Sequence, residues 1–266
     1  MPNMKICCLY SGSRGNSAYI NAGGASILID AGKSAKALCS VLGEIGVDIS
    51  SIDAIFITHE HRDHISALQT LSHKHNIPIY ILLSSAEVFY GLHDERLCQN
   101  LMLQMREPFS VNIKGLRVSS IRTSHDSRAS VGYRMDFSEN GENYAIGYVT
   151  DTGIVTDEMK EKLDGCLAVV MESNHDSDML KNGPYPPELK QRIASRRGHL
   201  SNKVAAAFIA KLCNAGTKYV MLAHLSEENN LPEIAFDESF SAISDSGAVL
   251  KVAAQDEAVW LIGGED

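Results

Sequence analysis

Three imidazoles and two carboxylates crowd into seven consecutive positions, Thr58-His59-Glu60-His61-Arg62-Asp63-His64, directly after the apolar run Ala54-Ile55-Phe56-Ile57. If that run is a buried strand, His59 and His61 project to the same side and Asp63 and His64 follow where the chain turns into a helix. Two pairs of ligands then face two neighbouring positions, which suits a pair of metal ions. A polar loop with surface histidines is the ordinary fate of a lone His. Imidazole and carboxylate at this density are instead the ligand types of zinc, manganese or iron sites.

One loop cannot complete a two-metal site, so further His or Asp residues are required at the ends of other strands. His125 lies in Thr123-Ser124-His125-Asp126, just beyond a strand expected over residues 116 to 121. Asp151 follows a strand over 144 to 149, and His224 follows one over 219 to 223. Each alone also has a structural reading, since Asp before Gly often marks a turn and a His in an apolar strand is often a satisfied core residue. Two ions about 3.5 to 4 Å apart would lower the pKa of a shared water and hold hydroxide ready at neutral pH, which makes hydrolysis the natural reaction. Asp63, or a carboxylate shared by the ions, can steady the proton of that nucleophile.

The segment 58–64 resembles the T-H-x-H-x-D-H signature of the metallo-β-lactamase superfamily. Flavodiiron relatives carry Glu where this chain has His61, and Glu60 stands one place off, facing the other way. His125, Asp151 and His224 match the superfamily's order of later ligands. The resemblance implies that His59, His61 and His125 hold one ion, that Asp63, His64 and His224 hold the other, and that Asp151 bridges them. Asp30, in Leu28-Ile29-Asp30-Ala31-Gly32, matches the first superfamily motif and fits a residue that orients a ligand histidine from behind. With Asp at 151 and no ligand Cys, the set is closer to phosphodiesterases and thioesterases than to zinc β-lactamases. Ser11-Gly12-Ser13-Arg14-Gly15-Asn16-Ser17, Ser124-His125-Asp126, Gly132-Tyr133, Asp151-Thr152-Gly153, Glu172-Ser173-Asn174-His175-Asp176, Gly198-His199-Leu200-Ser201-Asn202 and His224-Leu225-Ser226 followed by Asn229-Asn230 together resemble the YycJ-type (WalJ-type) branch. That branch implies a metal-dependent 5′ to 3′ DNA exonuclease linked to repair, with DNA and a repair protein as partners. It lacks the inserted β-CASP domain of related nucleases, and no block of over a hundred residues separates Asp151 from His224 here.

Residues 189 to 203 hold five basic residues and no acid in a chain of net charge −9. A solvated basic helix face is one reading. The other starts from His199, which follows Arg196-Arg197 and precedes a helix N-terminus, a place where guanidinium and backbone N–H groups favour phosphate. His199 also resembles the histidine that contacts the scissile phosphate in nucleases of this superfamily, as phosphate ligand or general acid. Ser13 and Asn16 in the Gly/Ser loop, and Asn174 and His175 past a strand end, are further candidate substrate contacts, against turn and capping roles. His73, His75 and His93 read as surface residues. Two classes compete with a nuclease: a thioester or lactone hydrolase of the same fold, and a metal-stabilised binding module without turnover.

The elements that must position these groups are legible in outline. Lys5 to Tyr10, Ala18 to Asn21 and Ser26 to Asp30 read as a β-meander, with Gly23-Gly24 as a turn. Ser34 caps an expected helix carrying Ala37, Leu38, Val41, Leu42 and Ile45, stopped by Gly46. A helix from near Asp63 buries Ile65, Leu68 and Leu71. Further strands are expected at Ile79 to Leu83, Leu116 to Ile121, Val131 to Phe137, Tyr144 to Val149, Leu167 to Glu172, Tyr219 to Ala223, Val249 to Ala253 and Val259 to Ile262. Helices are expected from Asn202 to Asn214, capped by Ser201 and burying Val204, Ala205, Phe208, Ile209 and Leu212, and from Pro232 to about Ser244. This pattern fits an α/β protein, a four-layer αβ/βα sandwich of the metallo-β-lactamase fold, with 1–266 as a single domain and ligands gathered at strand ends along one edge.

With 266 residues and 44% hydrophobic content, the chain can bury a sizeable core. Apolar runs are only strand-sized, and no secretory signal is visible, so no membrane role and a cytoplasmic location are expected. Six scattered cysteines without a C-x-x-C pair are expected to be reduced and buried. The negative charge ordinarily counts against nucleic acid, but two divalent ions would add about +4 at the site itself. Zn²⁺ and Mn²⁺ both suit the ligands.

Overall fold

The computed structural model describes residues 2–90 and 94–264. The fourteen strands among them are β1 (Lys5–Tyr10), β2 (Ser17–Ala22), β3 (Ala25–Ile29), β4 (Ala54–Phe56), β5 (Ile79–Leu82), β6 (Leu101–Gln104), β7 (Ser110–Ile113), β8 (Leu116–Arg122), β9 (Val131–Glu139), β10 (Glu142–Val149), β11 (Ala168–Glu172), β12 (Tyr219–Ala223), β13 (Val249–Val252) and β14 (Val259–Ile262). They form two seven-stranded sheets, ordered β14-β1-β2-β3-β4-β5-β6 and β13-β12-β11-β10-β9-β8-β7. Each sheet joins an antiparallel part to a parallel one, with the change at β3 in the first and at β10 in the second.

Strand alternation builds the layers. In β4, Ala54 and Phe56 join Ile6 and Ile27 of the same sheet in facing Tyr133, Ile146 and Met221 of the other, while Ile55, and Ile57 just past the strand, face the helices. Strands buried on both faces read as continuous apolar runs, which is why β4, β11 and β12 are legible in the sequence. Outside the first sheet pack α1 (Ala35–Glu44), α2 (Arg62–Ile65), α3 (Leu68–His75), α4 (Leu83–Tyr90) and α5 (Glu95–Asn100). The second half of the chain supplies α6 (Asp157–Leu163), α7 (Ser177–Asn182), α8 (Pro187–Ile193), α9 (Asn202–Asn214) and α10 (Pro232–Ile243), of which α6, α9 and α10 pack on the second sheet. The result is the expected αβ/βα sandwich, with no inserted domain between β10 and β12.

The departures from expectation are local. The helix expected from Asp63 divides into α2 and α3 because the 30–32 loop binds into the break: Ala31 N–H donates to the His64 carbonyl, and Ala67 N–H to that of Ala31. Val204 is 45% exposed, and Asn202 and Ala206 take the buried face of α9 with Ala205, Phe208, Ile209 and Leu212. Cys98 is exposed and Cys39 half-buried, whereas Cys7, Cys8, Cys166 and Cys213 are buried; all six thiols are free. Strands β6 and β7 were not expected. Each is the far edge of its sheet, short and only partly buried, so its apolar signal is weak. His73 lies on the surface and meets Asp94 at 2.7 Å, His75 is half-buried, and His93 lies outside the described residues.

Candidate metal centre

The ends of β3, β4, β8, β10, β11 and β12 share one rim of the sandwich, and the chemistry-bearing residues follow them there. The loop after β4 is fixed first. The buried Tyr133 hydroxyl donates to the Ile57 carbonyl, and Val131 N–H donates to that of Thr58. Buried Asp30 then accepts from Thr58 N–H and from Thr58 Oγ1, both at 2.8 Å. With its proton given to Asp30, Thr58 Oγ1 accepts from His59 Nδ1 at 3.0 Å, which turns the unprotonated His59 Nε2 inward. Asp30 Oδ2 also takes the Nδ1 proton of His64 at 2.8 Å, so His64 Nε2 faces the same space. Gly32 belongs to this assembly: a Cβ there would lie 1.5 Å from the Asp63 carbonyl oxygen, so only glycine allows that approach.

Two trios result. Ligand atoms of His59, His61 and His125 lie within 4.8 Å of one another, as do those of Asp63, His64 and His224. Asp151 stands between them, 3.6 Å from His64 Nε2 and from His224 Nε2 and 3.7 Å from His125 Nε2. His59 Nε2 and Asp151 Oδ2 are buried without a hydrogen-bond partner. Such orphans are costly unless a cation completes them, and imidazole with carboxylate is the donor set for one. The buried clusters fit a binuclear metal site.

Electrostatics separates the histidines. Burial and the neighbouring imidazoles hold His59 well below the usual imidazole range, and burial lowers His125. For His64 and His224 burial opposes protonation but the carboxylates prevail: Asp30 and Asp151 push His64 well up, and Asp151 with Glu172 raises His224 to about 9. Asp63 and Asp151 stay below the carboxylate range, their desolvation outweighed by these imidazoles.

Glu172, the last residue of β11, is the residue that the motif reading left without a role. Fully buried, its Oε1 accepts from His199 Nδ1 (2.8 Å), His224 Nδ1 (3.0 Å) and Asp151 N–H (3.2 Å). Its Oε2 accepts from Thr152 N–H (3.1 Å) and Leu200 N–H (3.0 Å). One carboxylate thus orients two imidazoles and anchors the Asp151 loop. The available signal was a charged residue ending an otherwise apolar strand, as Asp30 and Asp151 follow theirs.

A cavity of about 430 Å³ opens over the centre, lined by His61, Asp63, His125, Asp151, His199 and His224 among others. His199, 18% exposed at its side chain, sits 5.0 Å from the His125 ring and 5.2 Å from the His224 ring. Ser13 and Asn174 also line the cavity; Asn174 Nδ2 donates to the His224 carbonyl. Asn16 is buried, tied to Gly12 and 3.1 Å from Asp63 Oδ2, so it braces the loop that carries Asp63. His175 is buried with Nδ1 unpartnered, and its backbone is joined to Ser201 and Asn202. Arg192, rather than Arg196 or Arg197, lines this cavity, 3.4 Å from Asp126. Arg196 is exposed and its carbonyl accepts from Ser124 Oγ; Arg197 holds the His125 carbonyl through Nε at 3.2 Å.

Residues 25–225 match the family model described as the beta-lactamase superfamily domain. The chain belongs to the metallo-β-lactamase superfamily. Within it, the chain is 37% identical over 231 residues to the exodeoxyribonuclease YycJ of Bacillus anthracis, covering 85% of this chain and 84% of that protein. It is 34% identical over 235 residues to the exodeoxyribonuclease WalJ of Streptococcus pneumoniae (87% and 85%). The metallo-β-lactamase fold protein YhfI from Bacillus subtilis superposes over 98% of this chain and 100% of its own, with a TM-score of 0.73 at 19% identity. The superfamily fold and the YycJ/WalJ resemblance drawn from the motifs are both borne out.

Proposed function

We propose that this chain is a binuclear metal-dependent phosphodiesterase acting on nucleic acid, a 5′ to 3′ DNA exonuclease. The two facing trios around Asp151 carry the reading, in a chain over a third identical to a protein named exodeoxyribonuclease. His59, His61 and His125 would hold one divalent ion, Asp63, His64 and His224 the other, and Asp151 both. Zn²⁺ or Mn²⁺, when bound, supplies an activated water at neutral pH and neutralises charge on the phosphoryl oxygens.

The chain's own groups do the rest. Asp63, kept anionic and facing the cavity, accepts a hydrogen bond from the attacking water and fixes its direction. His199 donates Nδ1–H to Glu172, which turns Nε2 to the cavity; there the doubly protonated ring holds a phosphoryl oxygen through Nε2–H or delivers that proton to the departing sugar oxygen. Arg192 adds a guanidinium for the phosphate at the cavity wall.

The test gives purified protein with Mn²⁺ or Zn²⁺ three substrates: a 5′-labelled DNA duplex, a nitrophenyl phosphodiester and a thioester. Release of labelled mononucleotide is expected. Thioester turnover alone would replace this reading with a small-molecule hydrolase, and silence on all three with a metal-stabilised binding module.

A further inference from the structure

We infer that a groove beside the centre, walled by Arg122, Arg128 and Arg197, is a second phosphate-binding subsite that holds the sugar–phosphate backbone of the DNA strand next to the bond being cut. The inference rests on the phosphodiesterase reading above. The groove, about 390 Å³, shares His125 with the cavity over the metal trios, so a strand with one phosphate at the centre can run straight into it.

Its chemistry matches backbone. Three arginines meet there in a chain of net charge −9, beside the hydroxyl residues Thr123, Ser127 and Ser130. Ser127 Oγ is buried beneath the groove's surface without a hydrogen-bond partner. Guanidinium and hydroxyl without an aromatic ring grip phosphate oxygens and do not stack bases. The side chains of Arg122 and Arg128 are 66% and 54% exposed, and each meets one carboxylate through a single nitrogen, Glu107 at 2.8 Å and Glu87 at 2.5 Å. Most of each fork therefore remains for an incoming phosphate.

The groove is also held in register with the centre. Arg128 N–H donates to Glu60 Oε1 at 2.7 Å, so the motif residue that faces away from the metals fixes the groove's loop. On the other wall, Arg197 joins the carbonyls of His125 and Ser127, 3.2 and 3.5 Å away. Among the described residues Glu107 is the one acid in the lining, a resident counter-charge that a phosphate would displace.

The experiment compares wild type with the double variant Arg122→Gln/Arg128→Gln, both metal-loaded, on a nitrophenyl phosphodiester confined to the cavity and on a short 5′-labelled DNA strand. Diester turnover should be unchanged. DNA affinity should fall about tenfold for each charge-assisted contact removed. The slope of log affinity against log salt should flatten by about 0.7 per arginine for a single strand. Glu107→Gln should tighten DNA binding. Unchanged DNA affinity and slope in the double variant, weaker binding with Glu107→Gln, or a parallel loss on both substrates would each overturn the subsite. A wild type idle on both diester and DNA would instead remove the phosphodiesterase reading, and the subsite with it.

Discussion

Replacing Glu172 with Gln tests how the centre is held. The exchange preserves volume but turns one of two acceptor oxygens into a donor. If the amide nitrogen takes the Oε1 position, it faces His199 Nδ1, His224 Nδ1 and Asp151 N–H; if it takes the Oε2 position, it faces Thr152 and Leu200 N–H. At least two buried donors lose their acceptor either way. At about 1 to 3 kcal/mol for each buried unsatisfied group, the cost is about 4 kcal/mol. For a chain of this size that lowers the melting temperature by about 8 to 16 °C. Loss of an outer carboxylate behind a ligand histidine weakens metal binding about 10- to 100-fold. Without Glu172, His224 should also titrate below its value of about 9 in metal-free protein. Calorimetric melting, metal titration and imidazole NMR of Glu172→Gln measure the three effects. A melting temperature and His224 titration indistinguishable from wild type would refute the role of Glu172 as the shared acceptor.

Asp151→Ala should leave the two trios without their common carboxylate; elemental analysis is expected to find fewer than two metals per chain, with turnover lost. Gly32→Ala would place a Cβ 1.5 Å from the Asp63 carbonyl oxygen, and thermal unfolding should show a loss of about 3 kcal/mol together with weaker metal binding. In the metal-free protein His224 is raised, so its contribution to stability is full below the ordinary imidazole value of 6.5 and fades as pH rises through about 9. Metal must expel that proton, so metal affinity should climb with pH up to about 9, with proton release measurable by calorimetry in buffers of differing ionisation heat.

What the sequence made legible follows from what each element buries. Strands sealed on both faces, such as β11 and β12, announce themselves as unbroken apolar runs, and α9 does so through its Ser201 cap and Phe208, Ile209 and Leu212. The edge strands β6 and β7 and the short helices α7 and α8 bury too little to leave a pattern. Among the site residues, the T-H-x-H-x-D-H spacing is written in seven adjacent positions, whereas Glu172 acts on His199 and His224, 27 and 52 residues away. No local pattern marks a carboxylate whose partners are that remote. Arg196 and Arg192 show the same limit: both lie in one basic run, and only the turn of α8 decides that Arg192 lines the cavity.

Backbone geometry explains why the rim residues escape strand alternation. Asp30, Asp151 and His224 have φ of 61°, 55° and 59°, in the left-handed region that side chains other than glycine seldom adopt, and each comes one or two positions after its strand ends. The turn takes each side chain out of the pleat and directs it along the rim, Asp30 to Thr58 and His64 Nδ1, Asp151 and His224 toward the clustered imidazoles and carboxylates, where ordinary alternation would have sent it into a sheet face. Such a conformation costs about 1 kcal/mol or more per residue and persists only when its surroundings over-determine it. Here they do: Asp30 accepts from Thr58 and His64, Asp151 N–H is bound by Glu172, and His224 N–H donates to Ser11 Oγ at 2.7 Å. The strain and its compensation occur at the same residues, so the fold spends stability where three separate strands must converge on one centre.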